Sequence, residues 1–266
     1  MGGDPVAELR ILIPTYEEAG NIEHLLEAIA SQLTPVGVTA RVTVIDDNSP
    51  DGTGTLAEAA GHRLRSERFA VEVLRRPGKL GLGTAYAGGM RGVVEEASAD
   101  WVLTMDADFS HHPSYLPAFV AAARTSDLVV GSRYVHGGAT PDWPLTRRAL
   151  SVGGNWYSRL WLGSAVSDWT GGFNLYSRGL LARCDLATLA AAGYGFQIEL
   201  KRRALALCGE ATELPIVFHD RSRGASKLPR ATILDNLVLV PRLRFANPRR
   251  PAVSLAPERP VVGVGV

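Results

Sequence analysis

Between residues 9 and about 130, short apolar runs alternate with helix-patterned stretches, and that rhythm leaves few architectures open. The runs span 9–13, 41–45, 71–74, 101–105 and 127–130. Between the first two, Ile22, Leu25, Leu26, Ile29 and Leu33 recur at the spacing of one helical face. Strands separated by such helices predict a parallel sheet with right-handed crossovers, covered by helices. The expectation is an α/β, Rossmann-like layer suited to a nucleotide.

Beyond residue 130 the rhythm loosens. A Gly-Gly-Ala-Thr-Pro loop at 137–141 precedes a helix predicted over 145–162, with Trp156, Tyr157, Leu160 and Trp161. A strand over 171–176, a helix over 196–207 and a strand over 213–218 follow. The pattern over 225–245 reads as a helix interrupted near Pro241. Residues 1–8 are expected to be flexible. Residues 246–266, with prolines at 248, 251, 257 and 260, are expected to be disordered.

A net charge of +1 argues against a nucleic-acid binder that relies on a global basic field. Lysine occurs only at 79, 201 and 227 among 28 basic residues, so each lysine invites a question. Cys184 and Cys208 share no short motif and read as reduced thiols in a cytoplasmic setting. The start of the chain lacks the basic and apolar stretches of a secretory signal, and Val6 breaks the myristoylation pattern. No apolar segment approaches the roughly 18 residues needed to span a bilayer.

Several clusters carry chemistry. The run at 101–105 ends in Asp106-Ala107-Asp108, which a strand would present on one face at its carboxyl end, where open α/β sheets bind ligands. Two carboxylates with the Ser110 hydroxyl nearby suit Mg²⁺ or Mn²⁺. His111 and His112 are adjacent, and such a pair belongs more naturally to loop structure than to zinc. The first strand leads into Pro14, Tyr16, Glu17 and Glu18, where Tyr16 offers a ring for a base and Glu18 an acceptor for base or ribose. Asp47 stands at a second strand end, before a strong Asn-Ser-Pro-Asp-Gly turn signal. The glycine-rich segment around Lys79 opens a helix whose end favours anions. It is neither a Walker loop nor a Rossmann fingerprint. Arg133, Arg147, Arg221 and Lys227 follow at separated points, the last two in a Gly/Ser-rich stretch that suits a closing phosphate clamp.

In order, Pro-Thr-Tyr-Glu-Glu, Asp-Asp-Asn-Ser-Pro-Asp-Gly-Thr, Lys-x-Gly-Leu-Gly-x-Ala, Asp-Ala-Asp-Phe-Ser-His-His-Pro, Gly-Ser-Arg-Tyr and Arg-Ser-x-Gly-x-Ser-Lys-Leu resemble the polyprenol (dolichol) phosphate mannose synthases, inverting glycosyltransferases of family 2. The resemblance covers about 9–245. It implies a GT-A fold with a mostly parallel sheet; a nucleotide-binding half is expected over 9–130, an acceptor-binding half over 131–245, and, from the residues near the C-terminus rather than from the resemblance, a helical segment facing a membrane, although the membrane helices of some relatives are lacking. It implies that Pro14, Tyr16, Glu18 and Asp47, with Lys79, hold the nucleoside part of GDP-mannose. Asp106 and Asp108 would bind the metal, with Ser110 as a further ligand. Arg133, Arg147 and Ser151 would receive the acceptor's phosphate, and Arg221 and Lys227 would grip the donor diphosphate. The implied partners are GDP-mannose, a polyprenyl phosphate lipid and the cytoplasmic membrane surface, reached directly or through a separate anchoring protein. Glu17 departs from the Asn common in relatives.

That chemistry suits these residues. A phosphate monoester has its second pKa near roughly 6, so the nucleophile arrives anionic and no general base is required. The apolar residues Ile233, Leu234, Leu237, Val238, Val240 and Leu243, with Arg230, Arg242 and Arg244, suit either an interfacial helix or one packed on the core. The rival readings are a family 2 enzyme using UDP-glucose or another acceptor, and a nucleotide-sugar-binding module without turnover.

Overall fold

The computed structural model describes residues 7–189, 195–219 and 230–245. Every apolar run forms a strand: β1 (Glu8–Thr15), β2 (Thr39–Asp46), β3 (Phe69–Arg75), β4 (Trp101–Thr104) and β5 (Leu128–Ser132), followed by β6 (Asn174–Ser177) and β7 (Ala211–Pro215). The helices are α1 (Ile22–Leu33), α2 (Thr53–Leu64), α3 (Leu82–Glu96), α4 (Leu116–Ala123), α5 (Leu145–Leu162), α6 (Arg178–Arg183), α7 (Gly195–Leu205) and α8 (Arg230–Phe245).

The seven strands form one sheet in the order β3-β2-β1-β4-β6-β5-β7. All pairs are parallel except those of β6, which runs against both neighbours. The reversal has a local cause. Helix α5 stays beside the edge where β5 ends, with Ser151 bonded to Tyr134 and Asn155 to Thr170. The chain therefore re-enters the sheet from that edge. The strand expected at 171–176 starts only at Asn174, because 171–173 are spent on this approach.

Two apolar layers sandwich the sheet. Ile11 and Ile13 of β1, Leu103 of β4 and Val129 of β5 pack with α1, α2 and α4. Their neighbours Leu12, Val102, Leu128 and Val130 face the opposite layer, with Tyr86 and Met90 of α3 and Phe196 of α7. This period of two marks strands buried on both faces. The five predicted stripe residues of α1 are all buried, each stabilising the fold by about 1.5–3 kcal/mol. On α3, a Cβ at Gly89 would lie 2.9 Å from a Leu12 methyl, so glycine lets the helix settle against β1.

Helix α8 packs on α5 and α7, with Val240 and Leu243 buried. It continues through Pro241 rather than breaking there. Proline has no N–H for the carbonyl four residues back. The Tyr157 hydroxyl of α5 donates to that carbonyl, of Leu237, at 2.9 Å. Both cysteines are free, Cys184 buried and Cys208 half-buried. Among the described residues, no helix is long and apolar enough to cross a membrane. Residues 246–266 and most of 1–8 lie outside the described residues, as do the side chains of Arg230, Ile233 and Leu234.

Candidate active site

The strand order locates a crevice. From β1 the chain steps outward through β2 to β3, then returns along α3 to β4 on the other side of β1. The loops leaving β1 and β4 diverge at this switch point, where open α/β sheets accept ligands. Tyr16 follows β1, and Asp106 follows β4.

The loops after β1 and β2 are tied together by carboxylates. Asp46 accepts from the Thr15 hydroxyl at 3.0 Å and from the Ser49 hydroxyl at 2.5 Å. Asp51 accepts from the Ala19 amide, and Thr53 receives the Glu18 amide. Glu18 also accepts from Asn21 at 2.8 Å. Pro14 lies within β1 itself, half-buried. Asp47 is buried and paired with Arg76 at 2.6 Å, and it accepts the amides of Leu80 and Gly81. It thus organises the glycine-rich segment, a role its sequence position did not reveal. Lys79 sits 3.8 Å over the Tyr16 ring, so two expected donor contacts do meet.

The acid pair differs from expectation in one respect. Strand β4 ends at Thr104, so Asp106 and Asp108 occupy a loop and the shared-strand-face argument fails. Asp108 is buried, whereas the Asp106 side chain is 32% exposed. The loop turns tightly: Ser110 donates both its amide and its hydroxyl to Asp108, at 3.0 and 2.5 Å, and Phe109 has φ 63°. Glu17 and Asn48 share that left-handed conformation, in the loops after β1 and β2. Backbone strain thus concentrates at this edge of the sheet, as at many ligand sites. From α3, the buried Tyr86 hydroxyl reaches the Met105 carbonyl at 3.2 Å and Asp106 at 3.4 Å. Burial above all, with Asp106 close by, raises the Tyr86 pKa well above the ordinary range and keeps it a donor.

His111 is structural, as expected. Its Nδ1 accepts the Asp106 amide at 2.9 Å, so its 3.8 Å approach to the Asp106 carboxylate is not an ion pair. Burial lowers its pKa and keeps the ring neutral. It stacks on Phe173 at 4.8 Å and meets Phe218 edge-on. Phe218 in turn meets Trp143, and the Arg147 guanidinium lies 4.1 Å over the Trp143 ring. A row of rings therefore joins the acid loop to Arg147 and Arg133, both of which lie over the Trp143 ring. Phe218 and His219 lead into the segment bearing Arg221 and Lys227, two predicted contacts outside the described residues.

Arg133 does not stand alone. Its Nε and Nη2 donate to the two oxygens of Asp168, each at 2.7 Å, and Nη2 also donates to Thr170. Burial would raise Asp168, but Arg133 and Lys201 hold it far below the usual carboxylate range. Ser151 accepts from Tyr134 at 2.6 Å. Asp168, Thr170, Asn155, Tyr86 and Lys201 were missed by sequence reading. Only the rarity of lysine had marked one of them.

The donor set suits a hard divalent cation. Among the described residues, no three His, Cys, Asp or Glu side chains converge as a metal cage. The site offers two carboxylates and a hydroxyl instead, the oxygen set with which Mg²⁺ or Mn²⁺ is shared with substrate phosphates.

Comparison with known proteins agrees with this geometry. Residues 10–184 match the model of glycosyl transferase family 2. The chain is 38% identical over 235 residues to an undecaprenyl-phosphate mannosyltransferase of Micrococcus luteus, spanning 88% of this chain and 93% of that one. It is 36% identical over 245 residues to a polyprenol monophosphomannose synthase of Mycolicibacterium smegmatis, spanning 89% and 86%. The fold matches glucosyl-3-phosphoglycerate synthase of Mycobacterium tuberculosis, crystallised with Mn²⁺, UDP and phosphoglyceric acid, at a TM-score of 0.63 and 21% identity over 91% of this chain and 80% of that one. The architecture is thus a GT-A-type mixed sheet flanked by helices, and the chain belongs to glycosyl transferase family 2.

Proposed function

We propose that this glycosyltransferase moves mannose from GDP-mannose to a polyprenyl phosphate, with inversion, giving polyprenyl-phosphate-mannose and GDP. The observation that carries the reading is the Asp106–Asp108 loop at the switch point, linked through His111, Phe218 and Trp143 to Arg147. The activities named for the two mannosyl-transferring relatives support it. On this reading residues 9–130 form the donor half and 131–245 the acceptor half. Tyr16, Glu18, Asp47 and Lys79 line the nucleoside side, with Pro14 stiffening its strand.

Asp106 and Asp108, with Ser110, would hold Mg²⁺ or Mn²⁺. When bound, the cation supplies charge stabilisation to the departing diphosphate. Arg147, Ser151 and the edge of Arg133 receive the acceptor phosphate and set one of its oxygens behind the sugar carbon. Arg221 and Lys227 would grip the donor diphosphate and offset its charge. No side chain needs to take a proton, because the phosphate nucleophile is already ionised.

Helix α5 supports attachment at the cytoplasmic membrane surface. It buries the polar residues Asn155 and Ser158 along with Leu162, and exposes the apolar Leu145, Val152, Trp156 and Leu160. These lie on one helical stripe beside exposed Arg148 and Arg159, with Leu237 and Val238 of α8 also exposed. An apolar stripe with an aromatic and flanking cations suits an anionic bilayer interface. The face bearing Arg147 and Ser151 belongs to the same helix, which would bring the lipid's phosphate to the site.

Purified protein with radiolabelled GDP-mannose and a short polyprenyl phosphate tests the reading by chromatography of the lipid product. Label should enter the lipid, and Asp108→Asn or a chelator should reduce the rate by about 10²-fold or more. No transfer, or transfer that persists undiminished in both conditions, refutes it.

A further inference from the structure

The loop at 167–171 has no regular structure, yet its backbone is held by side chains from elsewhere in the fold. Glu213 of β7 accepts the amides of Ser167 and Asp168, at 2.8 and 3.2 Å. Asn155 of α5 accepts those of Trp169 and Thr170, at 2.7 and 3.3 Å. The Asp168 carboxylate accepts that of Gly171 at 2.8 Å. On the carbonyl side, the Lys201 ammonium of α7 donates to Asp168 and Gly171, at 2.7 and 2.8 Å.

Lys201 is fully buried. A lysine sequestered this way is costly unless its donors are matched, and here two converging carbonyls receive it. Burial lowers its pKa to about 8, partly opposed by Asp168. The loop it braces presents the Asp168 carboxylate to three donors of Arg133: the amide, Nε and Nη2. Arg133 is thereby oriented by a backbone that Lys201 fixes from beneath. Asn155 extends the same brace to α5, donating to the Ser151 carbonyl at 2.9 Å.

We infer that Lys201 is a positioning residue for acceptor binding, setting Arg133 through the 167–171 loop without touching substrate. This rests on the proposed transfer reaction. Donor-side residues Tyr16, Asp47 and Lys79 belong to other strand ends and share no bond with this loop. Loss of the brace should therefore split the two substrates.

The test compares wild type with Lys201→Met, which keeps length without the charge, and Glu213→Gln, which loosens the loop from the opposite side. Initial rates are measured against GDP-mannose and against geranylgeranyl phosphate in detergent micelles. The expected result is an acceptor KM raised about tenfold or more in Lys201→Met and less in Glu213→Gln, with the donor KM unchanged in both. An unchanged acceptor KM, or equal rises for both substrates, overturns the inference. If Lys201→Met does not fold, Glu213→Gln alone decides by the same criterion. Absence of transfer by wild type would instead refute the reaction on which the inference rests.

Discussion

Replacing Asp168 with asparagine removes one charge from the most deeply buried ion pair described here while keeping its shape. Asp168 is fully buried, and the Arg133 side chain is 7% exposed. The carboxylate accepts four hydrogen bonds, three from Arg133 and one from Gly171, at 2.7 to 3.1 Å. At an effective dielectric of about 20, unit charges about 4 Å apart attract by roughly 4 kcal/mol. Asparagine loses that attraction, sets an amide against one guanidinium nitrogen, and takes from buried Arg133 and Lys201 the counter-charge they share. The cost should be about 3–5 kcal/mol, or a Tm lower by roughly 10 °C for a chain of this size. Folding depresses the Asp168 pKa below its ordinary 3.8. The unfolded chain therefore binds more protons just below that value, so this stabilisation is present above about pH 4 and is lost as pH falls further. Urea unfolding by circular dichroism at pH 7 and in steps below pH 4 measures both effects. Asp168→Asn should be weaker at pH 7, and its deficit should shrink with acid. A difference under about 1 kcal/mol at pH 7, or a deficit that grows with acid, would refute the electrostatic account.

Two other outcomes follow from packing. Replacing Trp156 and Leu160 with serine removes exposed apolar area and should leave Tm nearly unchanged; binding to anionic vesicles in a sedimentation assay should fall by about tenfold or more. Equal binding by the variant would exclude α5 as the docking face. At Gly138 an added Cβ would lie 2.7 Å from the Ser132 carbonyl oxygen and the Arg133 carbonyl carbon, both backbone atoms. Gly138→Ala should therefore destabilise by about 1–3 kcal/mol, read by thermal unfolding; a neutral result would show that the turn relaxes.

The sheet and its helices were legible because burial forces a period on the chain. The stripe from Ile22 to Leu33 could serve no face but a covered one, and the structure covers all five residues. The direction of β6 was not legible, since it depends on where α5 lies rather than on the residues of β6. The site was half visible. Asp106 and Asp108 announce themselves by spacing, but β4 releases the chain one residue early, so the two acids differ in exposure. Asp47 and Arg133 each found a partner remote in sequence, Arg76 at 29 residues and Asp168 at 35. Nothing local to either position encodes such a pairing. Lysine scarcity was the one hint that reached past local pattern, and Lys201 justified it.

The meeting of Tyr157 with Leu237 has a consequence for how this enzyme tolerates change. Pro241 strips α8 of an internal bond, and the vacancy is filled from α5. Alanine at 241 would let the helix reclaim its own oxygen and compete with the phenol, whereas phenylalanine at 157 would strand that oxygen. Neither substitution is neutral by itself, so the two positions are expected to vary as a couple and to keep α5 and α8 in step.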